Sequence, residues 1–264
     1  MSNFRMLLIT QEDPFYVRLF FEEFFKRYSP LSDIQGIVVA PTMGKKSLWK
    51  LVRQMIGFYG VRDFIRMGFR FAAYRIGAKF AQWIPMKRFY SIAQVSRHYG
   101  IPVYFYSNLN GEPFLKFIRS LDLDLIVSVA APQIFREPLI RVPKEGCINI
   151  HNSKLPKYRG MLPNFWQMYH GEKSVGTTVH RINAGIDDGD ILLQKETPLR
   201  EGETLDSIIR RTKKLGADIL IEAIRRLREG TLTPLPNPAH EGSYYTFPTP
   251  EEVKAFRKKG FRLI

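Results

Sequence analysis

The sequence of 264 residues holds one cysteine, Cys147. That excludes an internal disulfide and a metal site built on clustered thiolates; it suits a reducing compartment, with Cys147 expected as a small core residue. Long apolar runs are missing too, so no membrane-crossing helix is expected. The first ten residues, MSNFRMLLIT, have neither the charged leader nor the cleavage site of a secretory signal, and the protein is expected to be soluble and cytoplasmic. Acids are scarce beside bases. There are 25 Asp and Glu against 40 Lys and Arg, a net charge of +15, which favours anionic partners such as nucleic acid, a membrane surface or phosphorylated metabolites. What is plentiful is apolar: 45% of the residues are hydrophobic, enough for one large domain or one domain with an appendage.

The excess charge is local. Eleven basic residues and one acid, Asp63, lie between Lys45 and Arg88. Leu48, Leu51, Val52, Met55, Ile56 and Tyr59, and then Val61, Phe64, Ile65, Ala72, Ile76, Phe80 and Trp83, form helical stripes beside that basic face. Arg62, Arg66 and Arg70 recur every fourth residue and repel one another unless an anion compensates. A basic helical insertion over residues 45–90 has three open readings. It can cap the core, lie in a membrane interface at the inner surface, or grip a nucleotide diphosphate or RNA.

Outside the insertion, apolar runs at 5–10, 34–40, 101–106 and 125–131 alternate with helical patterns through Phe20 to Phe25, Ser91 to Tyr99 and Glu112 to Leu121. This predicts an α/β, Rossmann-like domain with a mainly parallel twisted sheet flanked by helices. Gly146 introduces a fifth short strand, CINIH, and then a loop bearing Pro156, Gly160 and Pro163. Two more strand-like runs follow, and a long amphipathic helix is predicted from Thr204 to Arg228. Residues 1–230 are expected to form the catalytic domain and 231–264 a C-terminal extension, Pro-rich and then aromatic.

On CINIH, Asn149 and His151 are two apart and project from one face, at the carboxyl end where open α/β sheets bind ligands. The turn AGIDDGD, residues 184–190, carries two glycines and three acids. An amide, an imidazole and a carboxylate together suit acyl transfer to an amine: two donors for an oxyanion, and a carboxylate to orient the ring.

The stretch Asn149-Ile-His-Asn-Ser-Lys-Leu-Pro-Lys-Tyr-Arg-Gly160, with Val175-Gly-Thr-Thr-Val-His180 and Gly185-Ile-Asp-Asp-Gly-Asp-Ile-Leu192, resembles the core of the folate-dependent formyltransferases. The resemblance runs from about Ser91 to Arg228. It implies transfer of a formyl group from 10-formyltetrahydrofolate to a primary amine, with no metal. It also implies that Asn149 and His151 stabilise the tetrahedral intermediate, while Asp187 holds His151 and assists proton removal. Pro132, Gln133, Ile134 and Phe135 match a folate-contacting loop, and Asn183, Ala184, Gly185 and Ile186 the loop lining the pterin pocket. For Phe135, core packing is an equal alternative. His180 is expected to be structural. Asn152 and Lys154 depart from the family's usual proline and leucine and are expected to bear on substrate.

For the acceptor, Gln11-Glu-Asp-Pro14 lacks the glycines of a phosphate-binding loop and carries two acids, which disfavours glycinamide ribonucleotide. The short segment after Arg200 and the run Gly242-Ser-Tyr-Tyr-Thr-Phe-Pro248 resemble members acting on small amines. An anionic, nucleotide-linked amino sugar is therefore the expected substrate, and nucleic acid is not. A tRNA-directed enzyme and a non-catalytic folate- or membrane-binding module stay as alternatives.

Overall fold

The computed structural model describes residues 4–41, 48–80 and 88–264. The ends of the predicted insertion, with Lys45, Lys46, Trp83 and Lys87, lie outside the described residues. The chain opens with strand β1 (Met6–Gln11) and helix α1 (Val17–Arg27), followed by β2 (Ile34–Ala40) and the long helix α2 (Leu48–Phe80). Then come α3 (Ile92–His98), β3 (Val103–Phe105), α4 (Glu112–Ser120), β4 (Leu125–Val129), the short α5 (Glu137–Ile140) and β5 (Cys147–His151). The remainder comprises β6 (Arg159–Gly160), α6 (Pro163–Tyr169), β7 (Ser174–Arg181), β8 (Ile191–Pro198), α7 (Leu205–Arg228), β9 (Tyr244–Tyr245) and α8 (Pro250–Lys258).

Among the described residues, seven strands form one sheet in the order β3-β2-β1-β4-β5-β7-β8. The first five run parallel; β7 is antiparallel to β5, and β8 to β7. β1 is the middle of the five parallel strands, with β2 on one side and β4 on the other, so the chain reverses direction across the sheet there. That leaves a crevice at the carboxyl ends of the strands. The inner parallel strands are mostly apolar on both faces because both faces are covered, with polar residues gathered toward their carboxyl ends. On one face, α1, α3 and α7 bury Phe20, Phe24, Val95, Leu220 and Ile224 against Ile148 and Ile150. On the other, α4 and α5 bury Phe114, Ile118 and Leu139 against Leu7, Ile9 and Cys147.

One element follows the sequence reading closely and two depart from it. The two helical stripes expected at 48–59 and from 61 onward are the two halves of α2, which breaks between them at Gly60, whose φ of 74° is left-handed and unavailable to most side chains. The segment read as a loop after β5 forms β6 and α6, with Pro163 opening the helix rather than ending it. In the tail, Thr249 and Glu252 make a reciprocal capping box around Pro250, and α8 follows. Val253 and Phe256 of α8 join Phe165, Trp166, Ile208 and Phe58 in a third apolar cluster, so the tail is packed onto the domain.

Candidate active site

β5 alternates faces. Ile148 and Ile150 enter the core below α1 and α7, so Asn149 and His151 project from the opposite face, beyond Cys147. Antiparallel pairing with β7 sets Asn149 directly opposite His180 and His151 opposite Thr178. The amide Nδ2 of Asn149 lies 3.1 Å from His180 Nε2, and His180 Nδ1 lies 2.8 Å from the Arg181 carbonyl. A carbonyl only accepts, so His180 carries its proton on Nδ1 and its Nε2 accepts from Asn149. One amide N–H of Asn149 is thereby committed and the other is free to donate. The same logic fixes His151, whose Nε2 donates to the Tyr158 carbonyl at 3.0 Å, leaving Nδ1 as the basic nitrogen.

Asp187 completes the group. The turn after β7 folds back over this face, with Asp187 at φ 51°, a left-handed conformation that aspartate tolerates better than most residues. Its carboxylate accepts from the Gly160 N–H at 3.0 Å and lies 3.7 Å from His151 Nδ1 and 3.5 Å from His180 Nε2. Neither Asp188 nor Asp190 makes such contacts. Burial by itself would push the Asp187 carboxyl up, but the positive charge of His151 and His180 in their protonated forms, with the Gly160 N–H, outweighs it and holds the carboxyl well below its usual range. Burial pushes the His151 imidazole down, against the pull of Asp187. Both shifts describe one resting state: an ionised carboxylate beside a neutral ring. Lys213 of α7 adds to it, since its positive charge lowers His151 further; its own ammonium is pushed down by burial although Asp13 opposes this.

The turn is braced from the tail. Asn237 donates to the carbonyls of Asp187 (3.0 Å) and Gly189 (2.9 Å) and receives the Arg159 guanidinium on both its oxygens. Nothing in sequence spacing marks it except the prolines on either side, which fix the segment extended. Asn237→Ala removes both hydrogen bonds to the turn and one of the two from Arg159, which keeps the backbone carbonyl; a loss of about 1–3 kcal/mol in unfolding free energy is expected, read as a lowered urea midpoint at unchanged slope.

The two loops matched to folate binding flank the same face, but they are used unevenly. Phe135 is buried in the core with Leu139 and Ile9, whereas Ile134 is exposed. Gln133 spans Ser107 and Leu109, so its side chain holds the neighbouring loop. Pro132 is half-buried. Asn183, Ala184, Gly185 and Ile186 are exposed, with Asn183 accepting from the Gly185 N–H. A Cβ at Gly185 would meet the Asp188 carboxylate, which would have to swing aside. Exposed Ile134 and Ile186 with accessible backbone suit a flat, polar-edged ring such as a pterin; Phe135 contributes only by holding its loop in place. Lys154 is engaged by Glu172 and Glu196 at 3.1 and 3.0 Å, and Asn152 accepts from Gln167 through its carbonyl. Lys154 thus meets two carboxylates of its own chain. His180, expected to be structural, stands inside the site and orients the Asn149 amide. Among the described residues no group of His, Cys, Asp and Glu has the geometry to hold a metal ion.

Residues 86–224, just over half of the chain, match the formyl transferase family. The chain belongs to that family. It is 36% identical over 145 residues to methionyl-tRNA formyltransferase of Thermodesulfovibrio yellowstonii, an overlap of 55% of this chain and 47% of that one. The chain spans about half the length of the curated relatives it matches. Its fold is shared with glycinamide ribonucleotide transformylase 1 of Symbiobacterium toebii, at a TM-score of 0.61 and 18% identity over 89% of this chain and 96% of that one. It is also shared with WlaRD, a sugar 3N-formyl transferase determined in the presence of dTDP and 5-N-formyl-THF, at a TM-score of 0.57 and 18% identity over 100% and 84%.

Proposed function

We propose that the protein transfers a formyl group from 10-formyltetrahydrofolate to a primary amine. One observation carries this reading: the basic Nδ1 of neutral His151 and the Asp187 carboxylate face each other across 3.7 Å, beside the free N–H of Asn149. Two acceptors that close invite an N–H between them, which is where an attacking amine would place its proton. As the amine nitrogen bonds to the formyl carbon, the Asn149 N–H stabilises the developing oxyanion and His151 takes the proton. Asp187 stabilises the imidazolium so formed. Breaking the bond to N10 returns that proton to departing tetrahydrofolate, and no covalent enzyme intermediate is needed. The exposed loops at 132–135 and 183–186 would seat the donor.

The acceptor best supported is a nucleotide-linked amino sugar. Glu12 and Asp13 follow β1 in place of a glycine-rich phosphate loop, which disfavours a substrate whose phosphate would sit there. The similarity to methionyl-tRNA formyltransferases favours a second reading, an aminoacyl-tRNA acceptor. Incubation with 10-formyltetrahydrofolate and either a panel of amino-sugar nucleotides or methionyl-tRNA separates the two. Tetrahydrofolate release with a sugar nucleotide is expected. Release with methionyl-tRNA alone would assign the second reading, and release with neither would remove the proposed activity.

A pH dependence follows from the resting state. Activity requires neutral His151, whose protonation midpoint is displaced below the ordinary histidine value of 6.5, while Asp187 is already ionised throughout that range. The kcat/KM profile is expected to rise with pH and level off, with its midpoint below 6.5. A midpoint above that value would mean that another group titrates.

A further inference from the structure

α2 leaves its outer face uncovered. Trp49 is 82% exposed, Val61 64% and Phe69 74%, and Ile65, Ile76 and Phe80 are also exposed. At 3.6 residues per turn, Val61, Ile65, Phe69, Ile76 and Phe80 fall within an arc of about 100° on the second half of the helix. The inward side, with Met67 and Tyr74, lies opposite that arc: Tyr74 packs on Phe15 and Tyr90, and Arg70 reaches Asp206. The helix is therefore docked by one side, and its apolar stripe is the other.

Cations border the stripe. Arg62 and Arg66 lie along one edge and Arg75 and Lys79 along the other, and among the described residues none of the four has a carboxylate within ion-pair reach. The only acid on α2 is Asp63. We infer that this face of α2 lies on an anionic lipid surface, with the stripe in the acyl boundary and the two cation rows among the headgroups. An apolar centre with a basic rim is the profile that such an interface rewards, because it takes both the hydrophobic area and the charge. A second copy of the chain would set cation rows against each other, and a nucleic acid would leave Val61, Ile65 and Ile76 in water. Among the described residues no helix is long and apolar enough to cross a membrane, so the contact runs along the surface.

Co-sedimentation of the full chain tests this. Vesicles of equal parts phosphatidylglycerol and phosphatidylcholine should carry the protein down, less so as salt rises, and pure phosphatidylcholine only weakly. Ile65→Asp with Phe69→Asp should reduce partition at least ~10-fold, since both side chains then meet the acyl boundary with a charge. Arg62→Glu with Arg66→Glu should remove the preference for anionic lipid. All four positions are exposed, so circular dichroism and thermal midpoints should match the parent, a control independent of any activity. Absence of vesicle binding, or undiminished binding by the protein carrying Ile65→Asp and Phe69→Asp, overturns the inference. So does retention by tRNA without vesicle binding, or self-association that the same two substitutions abolish.

Discussion

Replacing Asp187 with asparagine is expected to lower kcat for formyl transfer by about 10²–10⁴-fold while leaving KM for the folate nearly unchanged. The amide keeps the shape and one of its oxygens, so the hydrogen bond from Gly160 at 3.0 Å can survive. What it removes is the charge beside His151 and His180, which lie 3.7 and 3.5 Å away. Without that anion, the His151 ring pays the full cost of charging in a buried site when it accepts the amine proton. The acid limb of the pH profile should move still lower, because the one group pulling His151 upward most strongly is gone. Steady-state assays across pH measure both effects. Activity within threefold of the parent would place Asp187 outside the chemistry.

Gly160→Ala is expected to cost about 2–4 kcal/mol of stability and more than about tenfold in activity, the sum of backbone strain and overpacking. Gly160 has φ 91°, and a Cβ there would collide with the Tyr245 carbonyl. β6 and β9 pair through these residues, so the collision pries the tail from the strand whose N–H holds Asp187. Gly171→Ala is the control: its φ of 78° is similarly left-handed, but nothing lies near the added methyl. Urea denaturation of both proteins separates strain from collision. Equal losses would mean that the contact with Tyr245 yields easily.

Much of this site was legible in the chain. The apolar runs of β1, β2 and β4 are long because both sheet faces are covered, and the common face of Asn149 and His151 on β5 follows from strand pleating alone. Asp187 came from resemblance to a family; three acids in one turn have no internal ranking. Other partners were hidden by sequence distance. His180 meets Asn149 only through the antiparallel register of β7 on β5, which no local pattern encodes. Tyr158 contributes a backbone carbonyl, and a carbonyl leaves no trace in residue type. Asn237 lies 50 residues beyond the Asp187 carbonyl it holds. α8 was different. The capping box around Pro250 stands in the sequence, but a proline-rich tail invites reading proline as a breaker, when at the first helical position its missing N–H costs nothing.

The solitary sulfur of the chain's one thiol has a practical value. Cys147 is buried at the start of β5, its thiol turned toward the Ile140 carbonyl and pushed up by burial, so it stays protonated and shielded from reagents. A cysteine introduced at an exposed position would then be the one reactive thiol in the protein. Spin labels or fluorophores could be placed singly along α2 without first removing a native residue, and their immersion depth read one position at a time.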